Sequence, residues 1–123
     1  MREITDEETI SLVDRLGPHI DSRYDYTGAP VFPEGRKDVC AVERKAEDGS
    51  SYGFDTIYLV WRAGEQLGYE RLVDSRATKD YIHVDQVVDD GKDIVVKVRS
   101  GGSYSGRAWD REYRRSKADL GLE

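Results

Sequence analysis

Apolar positions recur with two different periods along this chain. Near its start, Ile10, Val13 and Leu16, with Leu12 beside them, form a one-sided stripe at helical spacing. Thr5 and Glu8 make a capping box ahead of that stripe. The Thr5 hydroxyl accepts the Glu8 N–H, and the Glu8 carboxylate reaches back to the cap. Asp6, Glu7 and Glu8 sit at the positive end of the helix dipole, and Gly17-Pro18 stops the helix. The pattern predicts a helix over residues 6–16.

Residues 17–37 hold all three prolines and sustain neither period, which predicts a long loop. It carries Tyr24, Tyr26, Val31 and Phe32, enough apolar surface to pack as an ordered segment or to close over a ligand. From residue 38 to 99 the pattern is that of antiparallel strands. DVCAVERKA and FDTIYLVWR flank an Asp48-Gly49 turn signal, and the unbroken run Thr56 to Trp61 reads as a central strand covered on both faces. QLGYERLVDS follows, then YIHVDQVV and KDIVVKVRS around Asp89-Asp90-Gly91. A three-residue loop there, with Gly91 left-handed, pairs Val88 with Lys92, Gln86 with Ile94, Val84 with Val96 and Ile82 with Val98. It also pairs Tyr81 with Arg99 and His83 with Lys97. A two-residue loop would instead turn His83 and Asp85 among the valines, so the cost of burying polar groups selects the three-residue loop.

A Gly/Ser loop over 100–106 breaks the strands. Beyond it Trp109, Tyr113, Ser116 and Leu120 recur at i, i+4, i+7 and i+11, which predicts a C-terminal helix over 107–120, capped by Ser105 and ended by Gly121. The expected architecture is a single α+β domain over 1–123, a five-stranded antiparallel meander flanked by two helices. Its edge strands leave it a monomer or a homodimer.

Composition adds three constraints. At 123 residues, with 37% hydrophobic and 10% aromatic residues, the chain can bury a modest core without metal or disulfide. No apolar run reaches the roughly 18 residues a spanning helix needs, and the first residues lack a signal-peptide profile, so the expectation is a cytoplasmic protein with no membrane contact. Cys40 is alone between Val39 and Ala41, which reads as a small buried hydrophobe.

Charge is distributed unevenly. Residues 99–117 carry a net charge of +4 while the other positions sum to −10. On the predicted helix, Arg107, Arg111, Arg114 and Arg115 form a basic face next to aromatic residues, with Tyr104 nearby. The resulting expectation is an interaction module that binds an anionic protein surface, or nucleic acid, through that helix. Gly101, Gly102, Ser103, Ser105 and Arg107 supply the flexible amides and side chains of a candidate anion cradle, although no Walker or dinucleotide-binding pattern is present. The alternative is a small-ligand or catalytic site between the 17–37 loop and a polar sheet face bearing Tyr81, His83, Asp85 and Arg99. On a strand His83 and Asp85 share a side and, with His19, contain the ligand types of a two-histidine, one-carboxylate metal site. A solvent-facing histidine is the simpler reading, and Asp89, Asp90 and Asp93 lack calcium-loop spacing. No metal, cofactor or catalytic set is therefore assigned.

Overall fold

The computed structural model describes residues 3–21, 23–47, 53–75, 81–101 and 108–122. Helix α1 (Asp6–Leu16) begins at Thr5, whose N–H donates to Glu8 Oε1 at 2.9 Å while the Glu8 N–H donates to Thr5 Oγ1 at 3.2 Å. Gly17, at φ +72°, follows its last turn. Strand β1 (Tyr26–Thr27) lies within the expected loop. β2 (Val39–Glu47), β3 (Gly53–Ala63) and β4 (Gln66–Asp74) come next, then β5 (Ile82–Asp89), β6 (Asp93–Ser100) and β7 (Trp109–Ser116), and a last short turn of helix, α2 (Lys117–Leu120).

These strands form two antiparallel sheets rather than a five-stranded meander. The first has the order β1-β2-β3-β4 and the second β5-β6-β7. β2 and β3 bury both faces, as the apolar run predicts. On one face Val39, Ala41, Ile57 and Leu59 meet Ile82, Val87, Ile94, Val96 and Val98 of the second sheet. On the other, Cys40, Val42, Tyr58 and Val60 meet Ile4 and Val13, with Leu12, Leu16 and Phe32 packed alongside. The first sheet is thus the middle layer, between the second sheet and α1 with its following loop. Residues 28–31 run along β2: the Gly28 N–H donates to the Glu43 carbonyl, and Val31 exchanges backbone bonds with Ala41.

The predicted helix over 107–120 is replaced by β7 and the four residues of α2. The spacing of four between Trp109 and Tyr113 satisfies a period of 2 as well as 3.6. In β7 the residues between them alternate as a strand, each paired across to β6 from Trp109↔Ser100 to Ser116↔Asp93. Charged residues on both faces of WDREYRRS hide that alternation. Ser116, not Ser105, caps α2, and Gly121 in the left-handed region ends it.

The β5–β6 register also differs. The Asp90 N–H donates to the Asp93 carbonyl at 3.1 Å, so the loop is the two residues Gly91-Lys92, with Gly91 at φ +99°. Ile82 faces Ser100, His83 faces Arg99, Val84 faces Val98, Gln86 faces Lys97 and Val88 faces Val95, with a register shift between Val84 and Gln86. Asp85 is the extra residue of a bulge. It resets the alternation so that Ile82, Val84 and Val87 all reach the core, while His83, Asp85 and Gln86 remain exposed. The three-residue loop expected from polar burial is thus not formed, because the bulge keeps His83 and Asp85 exposed with the shorter loop.

Gly68 lies opposite Trp61 across β3 and β4. A Cβ there would come within 2.5 Å of Trp61 Cε2, so the glycine makes room for the indole. Gly68→Ala is expected to lower the unfolding free energy by about 1–3 kcal/mol, through forced displacement of that ring. Urea unfolding followed by tryptophan fluorescence checks this; an unchanged midpoint would mean that the ring moves aside freely.

Candidate functional site

Along β2 the polar residues alternate between two environments. Glu43 and Lys45 lie on the side facing the second sheet, and Arg44 lies on the side facing α1. Asp55, on β3 opposite Lys45, joins the sheets. Its Oδ1 accepts the Lys45 ammonium at 3.0 Å and its Oδ2 accepts the Ile82 N–H of β5 at 3.0 Å. Burial opposes the charge on Lys45, but Asp55 and Glu43 outweigh it and hold the ammonium above the ordinary lysine range.

Glu43 has no such partner. Its Oε1 is buried without a hydrogen bond. His83 Nδ1 lies 3.2 Å away, close enough for an ion pair but not aligned for a ring N–H bond, and Lys45 Nζ lies 3.9 Å away. Burial pushes the Glu43 carboxyl above its ordinary range, against the pull of Lys45 and His83. Tyr26 pairs with Lys45 across β1 and β2 and so shares its face. Both His83, with a side chain 54% exposed, and Tyr26, 52% exposed, are open to solvent. The result is a seam with a buried carboxylate and a paired ammonium at its floor and an imidazole and a phenol ring at its rim.

Of the residues expected to form a ligand site, His83 belongs to this seam. Tyr81 precedes it on the chain, exposed, with its carbonyl accepting the Gly101 N–H. Asp85 and Arg99 do not join it. The bulge separates Asp85 from His83, and Arg99 bonds Asp110 at 3.1 Å with Asp85 at 3.9 Å. These residues border a groove of about 390 Å³ on the second sheet, whose charges largely answer one another. Tyr26 belongs to the 17–37 segment expected to border a ligand site, whereas Glu43, Lys45 and Asp55 escaped the sequence-based reading. The available signal was the charged triplet Glu43-Arg44-Lys45 within an otherwise apolar strand.

Of the expected basic face, the described residues Arg111, Arg114 and Arg115 lie on strand β7 rather than on a helix. Arg114 bonds Asp90 at 2.8 Å, with Glu112 at 3.4 Å and Asp93 at 3.6 Å. Arg115 clasps Glu70 of β4 through Nε at 2.8 Å and Nη2 at 2.5 Å, bridging the two sheets. Arg111 stacks on the Trp109 ring at 4.3 Å. Tyr104 and Arg107 of that expectation, and Gly102, Ser103, Ser105 and Arg107 of the anion cradle, lie outside the described residues; Gly101 pairs with Tyr81.

On the α1 side, Arg44 is 1% exposed and is among the largest fully buried side chains. Its Nη2 lies 2.8 Å from His19 Nδ1, its Nη1 3.3 Å from Asp14 and its Nη2 3.7 Å from Asp25. Burial opposes the Asp25 charge, but N–H groups of Ile20, Glu47 and Asp21, with Arg44, hold its pKa below the usual carboxylate range. His19 is therefore committed to this cluster and lies away from His83. Cys40 is buried, and that burial pushes its thiol up to about 12, so it is not a thiolate at neutral pH. Among the described residues no three of His, Cys, Asp and Glu are grouped as metal ligands, and no helix is long and apolar enough to cross a membrane. Comparisons with family models, curated proteins and solved structures gave no match.

Proposed function

We propose that this chain is a binding module whose seam between the sheets takes up an organic cation, a primary ammonium or a guanidinium group. The observation that carries this is the buried Glu43 Oε1 without a hydrogen bond, beside the solvent-open His83 and Tyr26. A buried carboxylate oxygen without a donor is costly, and a charge-assisted bond from a ligand relieves that cost. Tyr26 offers a ring face on which a cation gains further attraction. The chain's net charge of −6 favours the approach of cations over anions.

The test is titration with N-acetyl-lysine methylamide and with arginine amide, followed by amide shifts of Glu43, Lys45 and His83. Glu43→Gln is expected to weaken binding about tenfold or more. Because burial raises the Glu43 pKa, a bound cation favours the ionised carboxylate and releases a proton, so affinity rises with pH as Glu43 ionises. Equal affinity in the glutamine variant, or affinity that falls over that interval, overturns the reading.

A further inference from the structure

β4 closes the first sheet at the end opposite β1 and pairs only with β3. Which of its backbone groups point outward follows from the other side of β3. The Arg62 N–H donates to the carbonyl of Asp38, next to β2, at 2.9 Å, so Arg62 and, by alternation, Val60 turn their main-chain groups toward β2. Leu67 and Tyr69, which face Arg62 and Val60, therefore turn theirs out of the sheet. Among the described residues these outward groups meet no backbone partner. Solvent reaches this edge: Tyr69 is 49% exposed, and Gln66 and Arg71 are exposed on either side of it.

Gly68, between those two residues, selects the occupant. The Trp61 indole stands over it, so closely that a Cβ on Gly68 would lie 2.5 Å from Trp61 Cε2. A strand added at this edge sets one residue directly against Gly68 in the closer, non-hydrogen-bonded kind of pair, and a large side chain there meets the indole from its open side. This chain carries a residue that fits, Gly68 itself. With Gly68 against Gly68 of a second copy about a twofold axis, Leu67 and Tyr69 of the second copy exchange their outward N–H and C=O groups. The same register lays the exposed Tyr69 ring beside Leu67 of the second copy and sets the Gln66 amide opposite its Glu70 carboxylate. One-residue slips mismatch the outward groups, and shifts of two residues in either direction put Glu70 or Gln66 against the indole.

We propose that the outer edge of β4 joins two copies of this chain, Gly68 against Gly68, so that their first sheets become one continuous sheet. This edge is separate from the Glu43 seam and does not depend on it.

The test uses the full chain. Sedimentation velocity between about 1 μM and about 1 mM is expected to show monomer giving way to dimer. Hydrogen exchange of the Leu67 and Tyr69 amides is expected to slow about tenfold or more over the same range. Tyr69→Pro removes only an outward donor, and with it half of the central main-chain bonds, and is expected to weaken the dimer about tenfold or more. Gln66→Glu, an exposed change, sets like charges opposite each other and is expected to weaken the dimer several-fold, whereas Gln66→Lys is expected to strengthen it. A monomer at every concentration overturns the proposal. So does a dimer in which exchange of the Leu67 and Tyr69 amides is unchanged, a readout that stands even if the proline variant does not fold. Equal association of the two Gln66 variants overturns the register. Failure of the Glu43 titration affects none of these readouts.

Discussion

Asp55→Ala is expected to cost about 3–5 kcal/mol of unfolding free energy, because it leaves a largely buried ammonium without its close counter-charge. Asp55 is 3% exposed, and its two carboxylate oxygens serve different sheets, Lys45 of β2 and Ile82 of β5. Its main chain is bound as well: the N–H donates to Ser75 Oγ at 2.7 Å, and the carbonyl accepts the Ser75 N–H at 2.9 Å. Alanine therefore keeps the backbone bonds and loses both links to Lys45 and Ile82. Lys45 would retain only Glu43, at 3.9 Å. Asp55→Asn keeps an oxygen for Ile82 and is expected to lose less than the alanine variant. Denaturant unfolding of both variants decides this. Equal losses would show that the bond to Ile82 adds nothing and that the charge facing Lys45 carries the whole effect.

A second large effect is expected at Arg36. Its Nε and Nη2 each lie 2.8 Å from Asp38 oxygens, its Nη1 lies 2.9 Å from Asp89, and the residue is 9% exposed. Arg36→Ala leaves Asp38, 8% exposed, as a buried carboxylate without its bidentate partner, and the expected loss is again about 3–5 kcal/mol near neutral pH. The difference from the parent protein depends on pH in a definite direction. Burial opposes the Asp89 charge, but bonds from Arg36, the Gly91 N–H and Lys117 hold its pKa down to about 2; Asp38 is lowered chiefly by its hydrogen bond from Arg36. Depressed carboxylates contribute stability above their unfolded pKa, about 3.9, and lose it as pH falls through the folded value. The parent protein should therefore lose stability steeply between about pH 4 and 2, and the variant less steeply, so that the gap narrows. Thermal unfolding across that range measures it; a constant gap would exclude the carboxylates as its source.

How much of this was legible in the sequence depended on whether local chemistry and tertiary contacts agreed. α1 was readable because its cap, its stripe and its stop act within a few residues, and β3 because it is apolar on both faces. Arg36 and Arg44 were not. One sits in a proline-containing loop and the other in a charged triplet, places where solvation is the default, and only the third dimension supplies the carboxylates that allow their burial. β7 was misassigned because its large apolar residues sit four apart, which two periods fit equally. The seam was half legible: His83 could be named from its strand, but Glu43 and Asp55 become its neighbours only once two sheets are stacked.

The bulge at Asp85 has a consequence for how this chain can vary. Ile82 and Val84 precede it, Val87 follows it, and all three reach the same interior only because one residue is left over between them. Deleting that residue would force a choice over which half of the strand keeps its side chains dry, whereas changing its identity would leave the choice unforced. At this position length is constrained more tightly than chemistry, the reverse of what its exposed carboxylate suggests.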